Sequence, residues 1–149
     1  MKRSVFLRGL LIVVAFSIYF SCSNAVDINN ESAVLKDIQG AWTGYQMVGN
    51  AYRHFKLIVK NNSFEGWMQV ADSEKEPSWA EIPDEKGALS LSSLQNDEEK
   101  RIKYRKFSLR CDGRCCGDKS VSVKALSELI SYQEGKGLML DGKVKMAKK

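Results

Sequence analysis

Proline and histidine are almost missing from this chain: two prolines and one histidine in 149 residues. It also contains no glycine-rich phosphate loop, no dinucleotide fingerprint and no Cys-x-x-Cys pair. Each absence removes a class of function. A serine or cysteine triad would have to use His54 as its base, yet no nucleophile can be assigned to it from sequence. Haem attachment fails because no histidine follows Cys115-Cys116. The acidic residues Asp72, Glu74, Glu76, Glu81, Asp84 and Glu85 lack the fixed alternation of a calcium loop and read as the charges of a solvated loop. Paired carboxylates for glycoside chemistry are the sharper reading of the same residues.

Long apolar runs are also scarce. The one candidate, residues 10–20, follows Lys2, Arg3 and Arg8 and is too short to span a bilayer comfortably, which marks residues 1–25 as an export signal. Two processing routes fit. Ser23-Asn24-Ala25 suits an ordinary signal peptidase and would start the mature chain at Val26. Cys22 offers lipidation, with Ser21 the only lipobox match, and two acyl chains would anchor the domain stably. The expected location is therefore the bacterial periplasm, as a soluble or membrane-anchored lipoprotein, or the secreted medium. The formal charge of +5 falls to +2 without the three basic residues of the leader, which contains no acidic residue. Such near-balance argues against a nucleic-acid partner.

What is present is strand pattern. Residues 26–36 read as a polar tether, with a helical turn over 33–38 that places Val34, Leu35 and Ile38 on one side. Residues 37–149 form the domain. Phe55, Leu57 and Val59 fall on one face of a strand with Ile58 opposite, Asn61-Asn62 supplies a turn, and residues 64–70 return as the second arm of a hairpin. Gly44 and Tyr45 interrupt the alternation of the first strand, and a phase shift near Arg105 and Lys106 interrupts a later one; both read as β-bulges. A short edge strand is expected over 79–82, and Asp141-Gly142 marks the last hairpin. The pattern predicts a mainly β fold of about eight short antiparallel strands, most economically an up-and-down barrel, because closure removes open edges.

Gly40-x-Trp42, following a helical turn and opening the first strand, resembles the start of lipocalins and of small lipocalin-like exported domains. The resemblance implies a barrel in which Trp42 packs at the closed end under a basic residue of the last strand. Lys145 is the nearest match, with Lys143 the other choice. It also implies an apolar ligand, but no activity.

The candidate sites follow. Trp67, Trp79 and Tyr104 are the aromatics expected to contact a ligand, at a barrel mouth or on the surface. Cys111 is expected to pair with Cys115 or Cys116, pinning a turn; a soft-metal site there, completed by Asp112, Asp118 or His54, is the alternative. The sequence carries no metal or cofactor motif. The expected function is non-enzymatic binding of a small apolar ligand or of an envelope or secreted protein. The alternatives are an inhibitor-like barrel that uses residues 71–85 and 111–116 as its contact surface, and a hydrolase or metal-binding protein.

Overall fold

The computed structural model describes residues 25–111 and 126–149. Its organising unit is the hairpin of β2 (Ala51–Lys60) and β3 (Ser63–Ala71). Asn61 turns the chain at φ +56°, a left-handed conformation that asparagine tolerates. Pairing then runs unbroken from Lys60↔Ser63 to Tyr52↔Ala71. This register carries Phe55, Leu57, Val59 and Phe64 to one face, each 2% exposed or less. β1 (Gly40–Val48) pairs with β2 along its whole length, from Gly40↔Val59 to Val48↔Ala51. There is thus no bulge at Gly44 and Tyr45. The alternation breaks because Gly44 makes room for Met146, whose Cγ would lie 3.4 Å from a Cβ at that position.

β4 (Glu85–Leu91), β5 (Gln95–Asp97), β6 (Ile102–Cys111), the short helix α2 (Leu126–Leu129), β7 (Ile130–Gln133), β8 (Gly137–Leu140), β9 (Val144–Lys145) and β10 (Ala147–Lys148) follow. The strands form one antiparallel sheet in the order β10-β1-β2-β3-β4-β6-β7-β8-β9, with β5 beside β6. β9 and β10 belong to one short segment that changes partner. Val144 and Lys145 pair with β8, whereas Ala147 and Lys148 pair with β1. Met146, at the crossover, is buried and donates its N–H to Leu138. The sheet is thereby nearly closed into a barrel, with ten strands among the described residues.

The irregularity expected at Arg105 and Lys106 lies on the neighbouring chain. Leu91 pairs with Phe107 and Gln95 with Tyr104, so three residues, Ser92 to Leu94, stand opposite two. β6 itself keeps its phase: Arg105 and Phe107 are both buried, and a charged residue at an inward position mimicked a bulge in the sequence. The guanidinium of Arg105 donates to the carbonyls of Ile28, Asn29 and Ser92 at 2.8, 3.1 and 2.9 Å. It thereby fixes the segment expected to be a tether. Ile28 is only 1% exposed, and Asn30 caps α1 (Glu31–Asp37) by accepting from the Ala33 N–H. Val34 and Ile38 then close one end of the barrel, both fully buried. Leu35 packs more loosely beside them.

Trp42 packs against this plug. It is 7% exposed and donates its indole N–H to Ile38 O at 2.7 Å. The cation over its ring is Lys148, 5.3 Å from the centroid and bonded to Asp37 O. Lys145, the residue expected there, is opposite Met139 instead. The crossover at Met146 explains the difference, since only β10 lies beside β1 and its register sets Lys148 across from Trp42.

Candidate functional site

β4 leaves β3 after Gly66, so the rest of β3 lacks a strand on that side. Residues 72–84 fill the place differently from the expected edge strand: they contain no strand and fold back over the outer face of β1, β2 and β3. Polar tethers hold this strap. Asp84 accepts the Met68 N–H at 2.7 Å and donates its own N–H to Gly66 O, blunting the open edge. Trp67 donates its indole N–H to Ala80 O, and a ring nitrogen of His54 lies 2.8 Å from Ser73 O. Tyr45 donates its hydroxyl to Glu74, and Glu76 accepts from the Trp79 indole and from Lys149 at 2.5 Å.

Beneath the strap lies a cleft of about 560 Å³, a volume typical of small-molecule sites. Its floor is the outer face of β1 and β2, with Thr43, Tyr45 and His54. Glu74, Glu76 and Trp79 of the strap form one wall, and Val144, Lys145 and Ala147 of the crossover segment form the other. His54 is 3% exposed, buried by this packing although it stands on the outer face. Lys56 extends beside it between two indoles, 4.6 Å from the Trp67 centroid and 5.9 Å from that of Trp79. The cation–π pair accounts for a lysine held against aromatic surface.

The ionisable groups of the cleft act on one another. Lys149 and then the Trp79 N–H stabilise the Glu76 carboxylate and hold its pKa below the ordinary 4.5. The hydrogen bond to Glu74, followed by its charge, raises the Tyr45 phenol above 10.0. Elsewhere burial, reinforced by a 2.7 Å hydrogen bond to Asp37, pushes Tyr132 well up. Among the described residues no three His, Cys, Asp or Glu side chains gather as metal ligands.

The structure divides the three aromatics expected at a ligand. Trp79 lines the cleft. Trp67 lies under the strap, 6% exposed, and contributes through Lys56. Tyr104 lines a separate cavity of about 350 Å³ with Lys100, Lys106, Ser131, Gln133 and Lys143. There Gln133 Oε1 is buried without a hydrogen-bond partner among the described residues. The sequence presents Glu74 and Glu76 only as two members of an acidic loop, Tyr45 only as an interruption of the first strand and Lys145 only as a partner for Trp42, whereas all four line this cleft. The available signal was Trp79, a large apolar residue in an otherwise polar, proline-bearing loop. The expected pairing of Cys111 with Cys115 or Cys116 and the lipidation of Cys22 fall outside the described residues. No described helix is long and apolar enough to cross a membrane.

Comparison of the chain with protein-family models, with curated proteins and with solved structures finds no match.

Proposed function

We propose that this chain is an exported, non-enzymatic binding protein of lipocalin-like build, and that its ligand sits in the cleft under the strap. The observation that carries the reading is the cleft itself: about 560 Å³, with an indole, a phenol, an imidazole and ions of both signs converging on it. The inward side chains Phe55, Leu57 and Val59 are each 2% exposed or less and belong to one hydrophobic cluster. The interior thus serves as core, and the outer face as the recognition surface. The lipocalin-like reading gains support from counting β4 with β5, and β9 with β10, as interrupted single staves, which makes eight. The leader supports export, with lipidated Cys22 as the anchored form and a start at Val26 as the soluble one.

A second reading, binding of an envelope or secreted protein, draws on the exposed apolar side chains Met47, Val70 and Ile82, which are 67%, 63% and 72% accessible. Native mass spectrometry of the mature protein from its own host, followed by amide NMR of that sample before and after ligand removal, separates the two. A noncovalent small molecule whose removal shifts Tyr45, His54 and Trp79 supports the cleft. A ligand whose removal shifts Phe55, Leu57 and Phe64 instead overturns it, as does a bare chain that captures only a protein.

A further inference from the structure

Most charged groups around the cleft are already engaged. Both oxygens of Glu76 accept hydrogen bonds, one from Trp79 and one from Lys149. The same contact occupies Lys149, and Lys56 is held between indoles. Two groups remain. Lys145 makes no hydrogen bond or ion pair with any described residue, and only one oxygen of Glu74 is used, by the Tyr45 hydroxyl. They belong to different walls, Glu74 to the strap and Lys145 to the crossover segment, with Trp79, Val144 and Ala147 also lining the space.

A ligand that forms an ion pair with both carries an anion at one end and a cation at the other, with a body that fits between them. We propose that the cleft binds a zwitterionic amino compound, an amino acid or short peptide, its carboxylate on Lys145 and its ammonium on Glu74. This rests on the cleft being the ligand seat and adds the class of ligand. Carboxylate and ammonium are recognised by charge-assisted hydrogen bonds, stronger than neutral ones, and the uncharged wall accommodates the side chains.

The test is calorimetric and NMR titration of the mature protein with the dipeptide Leu-Leu, its N-acetyl form and its C-terminal amide. The dipeptide should bind and shift Tyr45, His54 and Trp79, while each blocked form binds weaker by about tenfold. Lys145→Ala should abolish the preference over the amide, and Glu74→Gln the preference over the acetylated form. Thermal melting of both variants checks that they fold, as expected for exposed side chains. Equal binding of all three probes at the cleft overturns the zwitterion but leaves the seat intact. If a ligand from the host maps to the cleft while no probe binds, the inference again fails alone. Probe binding that shifts the interior residues overturns both.

Discussion

Glu76 concentrates the electrostatics of the strap in a single side chain. Its carboxylate joins two parts of the molecule: the strap, which carries both it and the Trp79 indole, and Lys149 beyond β10. Because its folded pKa lies below the ordinary 4.5, its contribution is fully present above that value and is lost as pH falls through the lower one. The group is largely exposed, so the effect on global stability is small and the readout should be local. The indole N–H resonance of Trp79 is expected to move in an acid titration with a midpoint below 4.5, and Glu76→Gln should remove that midpoint. An unchanged resonance in the wild type down to pH 3 would disprove the coupling. None of this was legible in the sequence, where Glu76 is one of six acidic residues in a polar stretch. Its partner Lys149 is 73 residues away, and only the closing of the sheet brings the two together.

At the scale of elements, local pattern was a good guide wherever one face is buried and the turn chemistry is strong. The β2–β3 hairpin, the helix that plugs one end and the turn at Asp141-Gly142 all follow from alternation, apolar spacing and residues that accept positive φ. The strap was misread because its structure is set by what it covers rather than by its own periodicity. A tether was read over residues 26–36 for a similar reason, since Val26 and Ile28 are separated by polar residues and the Arg105 clamp reaches Ile28 from β6. Glycine carried one further message at this scale. Gly66 faces the interior opposite Leu57, and a Cβ there would sit 2.3 Å from Leu126 Cδ2. Leu126 is itself only 3% exposed, so it has little room to give way. Gly66→Ala is expected to destabilise the protein by about 1–3 kcal/mol in urea unfolding, through overpacking where α2 meets β3. An unchanged midpoint would mean that the Leu126 side chain relaxes freely.

The whole molecule depends on a segment of five residues, 144–148, that belongs to two strands at once. Met146 is its pivot, buried at 2% between the β8 backbone, to which it is hydrogen-bonded, and the space left by Gly44. Met146→Ala should therefore cost about 2–5 kcal/mol, typical of a large-to-small change in a core, and amide exchange should accelerate in β1 and β8 together rather than in β8 alone. A loss confined to one strand would show that the two pairings are independent. The same crossover also sets an order of events as the polypeptide is made. Trp42 pairs with Lys148, so one of the first strands finds its second neighbour only after more than a hundred further residues have been added. Contacts of such sequence separation form late and slowly, because loop-closure entropy opposes them until the chain between is available. Until residue 148 is made, β1 consequently keeps one unpaired edge, and the sheet approaches closure only when that residue arrives.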